Sequence, residues 1–244
     1  MSLSSEEFER YDRQIMVIGV EGQEKLKKAR VLIVGVGGLG SIVSLYLVAA
    51  GVGELVLLDE GVVELSNLNR QILYDTSDIG KSKVTVASEK LRRLNPWVSI
   101  KPIQERASEE LLGKIVSEVD LVIDALDNWD SRLILNKVCV KYSKPLIHAG
   151  IQGFYGQFMV VVPGVTPCLQ CIVPKKPLTP SKIPVLAPTP GVLGSLQATE
   201  AIKIITGVGK PALNKLLVYD GLKMEFTVVN VYRNPTCPVC GGLK

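Results

Sequence analysis

Short aliphatic runs alternate with apolar or amphipathic stretches of helical length along most of the chain. Arg30-Val-Leu-Ile-Val34 is a β-branched run ending in glycines, as expected of a parallel strand buried on both faces. Leu39 to Ala50 reads as an apolar helix closed by Gly51, and Glu54 to Asp59 as a second strand that ends in a carboxylate. A helix over Lys81 to Leu94, a strand over Val98 to Ile103 and a helix over Glu109 to Ser117 follow. Asp120 to Asp124, Ser131 to Tyr142 and Pro145 to His148 then read as strand, helix and strand. This alternation predicts a parallel sheet covered by helices.

After Gly150 the pattern changes. Gly156 to Val162 and the stretch from Leu216 to Tyr232 look like strands in hairpin company, and Gly191 to Thr206 like a helix. Pro174 to Pro190 carries six prolines and predicts an exposed, irregular crossing segment. No linker separates these parts. The expected fold is α/β, a Rossmann-like, mainly parallel sheet continued by antiparallel C-terminal strands. Residues 1–244 form one domain in this reading, with a core over about 28–150 and an elaborated C-terminal part over 151–244.

Composition narrows the function. The 244 residues are 47% apolar, which argues against disorder, and 28 Lys+Arg against 24 Asp+Glu leave a net charge of +4. That balance is too mild to imply a nucleic-acid or anionic-membrane partner. Val31 to Gly53 holds 23 uncharged residues, enough on count to span a bilayer, but six glycines interrupt it. A buried strand, a tight turn and a buried helix fit it better. Met1 to Arg10 is polar and acidic with no apolar signal core, so the expectation is a cytoplasmic, soluble protein. One histidine excludes a poly-histidine metal site, and five cysteines point to thiols used for metal or catalysis.

Three motifs carry chemistry. Gly35-Val-Gly37-Gly38-Leu-Gly40 lies where a strand meets a helix, and glycines there let a phosphate approach backbone amides. Asp59, ending the next strand, can accept ribose hydroxyls. Together they say nucleotide without saying which; the plain alternative is a packing turn with no ligand. Cys168-Leu-Gln-Cys171 and Cys237-Pro-Val-Cys240 supply four thiolates, matching a closed tetrahedral zinc site of structural type. A redox pair is the alternative, but two copies favour metal. The 65 residues between the pairs would make this site a staple of distant segments.

The third motif is a polar cluster. Ser66 to Gln71, Gly80 to Lys83 and Asp124 to Asn128 each follow a strand or open a helix, so all fall on the C-terminal edge of the sheet. Arg70 and Lys83 suit triphosphate charge, and Asp127 suits a magnesium ion bridging phosphate oxygens. Cys139, His148, Trp97 and Trp129 read instead as core or packing residues.

These residues resemble the ubiquitin-activating-type adenylyltransferases of the ThiF/MoeB branch. The resemblance runs nearly end to end: Arg10 to Ile15, the glycine turn, Ser66 to Gln71, Lys83, Asp127-Asn128 with Arg132, Gly194 to Lys203, Tyr219-Asp220 and Arg233 to Gly241. It implies that ATP adenylates the C-terminal glycine carboxylate of a small ubiquitin-like sulfur-carrier protein ending in Gly-Gly, releasing pyrophosphate. Asp59 would hold the ribose, Arg70 and Lys83 the phosphates and Asp127 the magnesium, with Gly38, Asn67, Gln71 and Asn128 completing the nucleotide site. Arg13 would reach into the partner subunit's ATP site, which implies a homodimer. The cofactors are then ATP as substrate, magnesium and structural zinc.

Two departures stand out. Residues 174–191 contain no cysteine for the thioester or persulfide link that the family often forms there, which leaves open whether sulfur transfer follows on this chain or on a separate sulfurtransferase. Asp59-Glu60-Gly61 has glycine where many relatives have a second acidic residue. The resemblance leaves molybdopterin synthesis, thiamine synthesis and tRNA thiolation open. Other readings are a tRNA-linked carboxylate as substrate, a nicotinamide-dependent oxidoreductase and a non-catalytic partner subunit. The oxidoreductase reading leaves Arg70, Lys83 and Asp127 unexplained and offers only His148 for acid–base work.

Overall fold

Five strands run parallel in the computed structural model, which describes residues 2–177 and 182–243. They are β1 (Arg30–Val34), β2 (Glu54–Leu58), β3 (Ser99–Ile103), β4 (Leu121–Asp124) and β5 (Leu146–Gln152). The sheet continues through three antiparallel strands, β6 (Tyr155–Val161), β7 (Lys215–Asp220) and β8 (Glu225–Asn230). The strand order is β3-β2-β1-β4-β5-β6-β7-β8 in one eight-stranded sheet. Chain order therefore reverses between β1 and β4. At such a switch point the loops leaving the two strands diverge to opposite faces and open a crevice.

The helices are α1 (Ser5–Arg10), α2 (Asp12–Lys28), α3 (Gly38–Ala49), α4 (Lys83–Leu94), α5 (Glu109–Val116), α6 (Trp129–Lys141), α7 (Leu169–Ile172) and α8 (Thr189–Thr206). Strand alternation builds two cores. Val31, Ile33, Leu55, Leu57 and Ile123 face α3, α4 and α8, with Val43, Leu91 and Leu193 filling that layer. Leu32, Val34, Val56, Leu58 and Val122 face the other way, onto Leu112 of α5 and Leu135 of α6. Three of the paired cysteines, Cys168, Cys237 and Cys240, pack into this second core. Central strands covered on both faces explain why their sequences read as unbroken aliphatic runs.

Four features depart from the sequence reading. Two helices precede β1 where no element was anticipated. Only Gly22, Gln23 and Leu26 of α2 are buried, and left-handed Gly19 (φ 73°) breaks it, so no apolar period marks it. Ser4 and Glu7 form a reciprocal cap on α1, and Glu7 reaches Lys27 of α2 at 2.6 Å. Next, β5 does not end at His148 but runs on to Gln152, so His148 lies mid-strand between β4 and β6. The short α7, which opens inside the first cysteine pair, was also unanticipated.

The crossing segment is irregular at 174–177 and, apart from one bridge between Gly153 and Val185, at 182–188. Its middle, residues 178–181, lies outside the described residues. No helix among the described residues is long and apolar enough to cross a membrane. Cys139 is wholly buried in α6, where burial pushes its thiol far up, as a structural thiol requires.

Candidate functional site

A cleft of about 1090 Å³ opens at the β1/β4 switch point. The turn after β1 forms one wall, but its glycines divide into two roles. A Cβ at Gly40 would lie 2.0 Å from the Gly35 carbonyl oxygen, and one at Gly35 would lie 2.6 Å from that of Ala125. Those two glycines serve close packing of the turn against β4, and Gly35 also needs its φ of 92°. Gly37 and Gly38 line the cleft, and Gly35 does so in addition to its packing role. Tyr74 ties the turn down by donating to the Val36 carbonyl at 2.8 Å, a positioning role that the sequence reading missed.

Asp59 ends β2 at the cleft, where its carboxylate accepts from the backbone N–H groups of Val36 (2.7 Å) and Gly61 (2.8 Å). It therefore locks the glycine turn while still facing the cavity. Gly61 leaves space that a side chain would take: a Cβ there would sit 3.0 Å from Asp59 Oδ1 and 3.3 Å from Lys83 Nζ. An acidic residue at 61 would grow between that carboxylate and that ammonium. Glycine keeps the Lys83 ammonium clear toward the cavity.

A short helical turn over Leu65–Asn67 carries the polar cluster. Asn67 is buried, and its carbonyl accepts from the Glu64 N–H at 3.2 Å, so it shapes the loop. Among the described residues, the Arg70 guanidinium donates only to neutral groups, the Ser66 carbonyl (2.9 Å) and Asn69 Oδ1 (3.1 Å), which leaves its charge uncompensated by them. Gln71 is buried with its Oε1 unpartnered and its Nε2 3.5 Å from the Cβ position of Gly37. Across the cleft, Asp127 is exposed, and Asn128 caps α6 by accepting from the Ser131 N–H at 2.9 Å. The turn at 35–38, Asp59, Asn67, Arg70, Gln71, Lys83, Asp127 and Asn128 thus line one cavity.

Arg13 does not. It lies exposed on α2 beside a separate groove of about 410 Å³ shared with Tyr46 and Thr199. Trp129, read from sequence as packing, is a cleft residue instead, stacked under the Arg132 guanidinium at 5.4 Å. Trp97 is 38% exposed and holds Arg10 over its ring rather than filling the core. Glu105 and Arg106 also line the cleft and were missed. Their place just after β3, on the same sheet edge, was the signal that could have found them.

Beneath the cleft floor lies a buried polar network. His148 Nδ1 is 2.6 Å from Asp124 Oδ2, and His148 Nε2 is 2.9 Å from the Gln157 amide nitrogen. An amide nitrogen can only donate, so Nε2 accepts and Nδ1 carries the proton given to Asp124. Burial holds the imidazole below its usual range. Burial works to raise Asp124, but Arg132 and His148 outweigh it and keep the carboxyl below its usual range. Gln197 of α8 donates to the Asp124 (2.8 Å) and Ile147 (3.0 Å) carbonyls, joining the helix to β4 and β5.

Both folded-state values lie below the unfolded ones, so this network's contribution is complete above about pH 6.5 and lost on acidification, through His148 first. Urea-unfolding stability is expected to stay level from pH 8 to 7 and to fall between pH 6.5 and 5. His148→Gln should flatten that decline. Stability that rises on acidification in wild type would contradict the neutral assignment of His148.

The four paired cysteines meet in the second core, close to Asn136 of α6. Their sulfurs all lie within 4.8 Å of one another, with Cys168–Cys237 at 3.8 Å and Cys171–Cys240 at 3.3 Å. Tetrahedral bonds of about 2.3 Å to zinc set sulfurs about 3.8 Å apart, so the set could hold such an ion with no position left open. Burial pushes the Cys168 and Cys171 thiols up; the Asn136 amide opposes it at Cys168 and the Asn234 backbone at Cys171. Cys237 ends below the usual thiol range, because the Cys240 and Val239 N–H groups outweigh its burial.

A glycine-walled cleft lined by both cations and carboxylates, at the switch point of a mainly parallel sheet, defines a nucleotide-binding α/β protein. The chain belongs to the ThiF family, whose pattern it matches over residues 11–239. It is 43% identical to the sulfur carrier protein adenylyltransferase of Thermus thermophilus, across 99% of this chain and 93% of that one. It is also 43% identical to the molybdopterin-synthase adenylyltransferase of Escherichia coli, across 98% of both. Among solved structures, E. coli MccB with ATP superposes with a TM-score of 0.84 at 31% identity, covering 95% of this chain and 74% of that one.

Proposed function

We propose that the protein is an ATP- and magnesium-dependent adenylyltransferase acting on the C-terminal glycine of a small ubiquitin-like sulfur-carrier protein. The observation that carries this reading is the meeting of Arg70 and Lys83 with Asp59 and Asp127 in one cleft, in a chain whose relatives are named adenylyltransferases. Nicotinamide chemistry has no use for that concentration of cations. It would also need an acid–base group, and His148 is fully buried beneath the floor.

The carrier's carboxylate is already ionised at neutral pH, so its attack on the α-phosphorus needs no general base. What it needs is position and compensation for charge gathering at the phosphates. Asp59 orients the ribose while clamping the glycine turn, and the Gly37–Gly38 backbone receives phosphate oxygens at the α3 N-terminus. Arg70 and Lys83 supply fixed positive charge. Asp127 offers an exposed carboxylate, the hard oxygen donor that magnesium takes, and the ion supplies further neutralisation of the phosphates when bound. Pyrophosphate leaves, and a sulfur nucleophile then attacks the acyl-adenylate carbonyl, forming the carbon–sulfur bond and releasing AMP.

Two further parts belong to this reading. Arg13 faces away from its own cleft, beside exposed Met16 and Val17 of α2, which supports a homodimer in which it serves the partner's nucleotide. The four cysteines hold zinc as a structural staple of the segment after residue 151. With no cysteine in the crossing segment, a separate sulfurtransferase completes molybdopterin, thiamine or tRNA thiolation. A cytoplasmic enzyme of this kind should catalyse ATP–pyrophosphate exchange only when a purified Gly-Gly-ending carrier is present. Exchange driven by tRNA and indifferent to carrier would overturn the substrate assignment.

A further inference from the structure

Asn136 is wholly buried in α6, yet one of its polar atoms has no hydrogen-bond partner among the described residues. Its Oδ1 accepts from the backbone N–H of Leu169 at 2.9 Å, the residue that follows Cys168. That bond fixes the amide's orientation, since a backbone N–H demands the oxygen. Nδ2 must then point away from the Leu169 N–H, and it is this atom that finds no partner. A buried N–H left unpaired is costly and rare. The neighbour on that side is Cys168, itself 1% exposed.

The other cysteines are held by the same logic. The Asn234 backbone N–H donates to Cys171 Sγ at 3.5 Å. Arg233 donates to the Cys240 carbonyl at 2.7 Å and to the Gly164 carbonyl at 3.0 Å, holding the C-terminal knuckle against the β6–α7 loop. Four thiolates around a divalent cation carry an excess of two negative charges inside a hydrophobic core. N–H donors that can reach the sulfurs spread that charge and hold each ligand in its binding rotamer. At Cys168 the Asn136 amide joins the Cys171 backbone N–H in the role that the Asn234 backbone takes at Cys171.

We infer that Asn136 is a positioning residue for the cysteine centre, donating its Nδ2–H to the Cys168 thiolate when metal is bound. This rests on the reading of the four cysteines as a zinc site. It also ties that centre to the cleft through one helix: Asn128, the α6 cap in the cleft, lies eight residues and about 12 Å upstream of Asn136.

The test compares zinc-loaded wild type with Asn136→Asp, which keeps the acceptor for Leu169 but replaces the donor with negative charge, and with the milder Asn136→Ser. Zinc release to a coloured chelator is followed with time, and cobalt-substituted protein reports sulfur donation through its thiolate-to-metal charge-transfer band. Leu135→Ala, a core deletion on the same helix, controls for lost stability alone. The expected result is zinc release about 10- to 100-fold faster in Asn136→Asp, with a shifted cobalt band, and neither change in Leu135→Ala. Should Asn136→Asp fail to fold, Asn136→Ser is expected to accelerate release to a smaller extent. Release within twofold of wild type, with an unshifted band in whichever variant folds, overturns the role of Asn136. Wild type that retains no zinc on the four cysteines overturns the underlying metal reading instead.

Discussion

Carrier-dependent ATP–pyrophosphate exchange is expected to fall by about 10²- to 10³-fold in Asp127→Ala, while the thermal midpoint stays within a degree or two of wild type. The two halves of this expectation have separate causes. Asp127 is exposed at the cleft rim, and its one hydrogen bond is a long 3.3 Å contact from the neighbouring Asn128 amide. Capping of α6 rests on Asn128, so removing the Asp127 carboxylate takes nothing from the fold. What disappears is the anionic oxygen donor opposite Arg70 and Lys83. On the proposed reading the metal that accompanies ATP then loses its anchor, and the side-chain cations of the cleft meet the phosphate charge without it. Asp127→Asn should be almost as impaired, because a neutral amide is a poor magnesium ligand, and raised magnesium should restore part of its activity. Exchange within twofold of wild type in Asp127→Ala would remove Asp127 from the site.

The second large effect concerns the cysteines. Stripping metal with a chelator, or Cys240→Ser, is expected to lower the thermal midpoint by about 6–12 °C or more, corresponding to roughly 3 kcal/mol in a chain of this size. Structural zinc is worth about 10–16 kcal/mol in small finger peptides, so this asks for only part of its binding energy. The effect should be large because the cluster sits in the second core with Leu135, Met159 and Val231, and joins α7 to the segment that follows β8. Opening it exposes that core face as well as freeing the chain end. Exchange activity measured well below the midpoint should survive, since the cleft lies on the far part of α6. A midpoint unmoved by metal removal would mean the staple is not metal.

The central strands were legible because their cause is local. Arg30 to Val34 and Leu121 to Asp124 are aliphatic runs that only a doubly covered strand accommodates, and each is followed by a turn that its residues announce. The same holds for the four cysteines, whose spacing within each pair suits a metal knuckle wherever the pair happens to be. By contrast α2 was illegible. It turns Met16, Val17 and Val20 outward, so its apolar residues follow no buried face of this chain. Trp129 was misread for a related reason. An aromatic residue at a helix start looks like core until the neighbouring loop is seen to open a cavity beside it.

The glycine turn marks the boundary between the two kinds of information. Sequence alone determined that a strand, a flexible turn and a helix follow one another there, that carboxylates and cations end the neighbouring strands, and that paired thiols recur. Those are properties of residues within a few positions of each other, where conformational preference and period act directly. Only the tertiary structure decided that Gly40 serves packing alone, that Gly35 both packs and lines the cavity, and that Gly37 and Gly38 face it. It alone decided that β1 lies beside β4, that Cys171 meets Cys240, and that Asn136 lies against the first cysteine pair. Such contacts join segments far apart in the chain, and they are selected by burying both faces of one sheet at once, which no local stretch of sequence can specify.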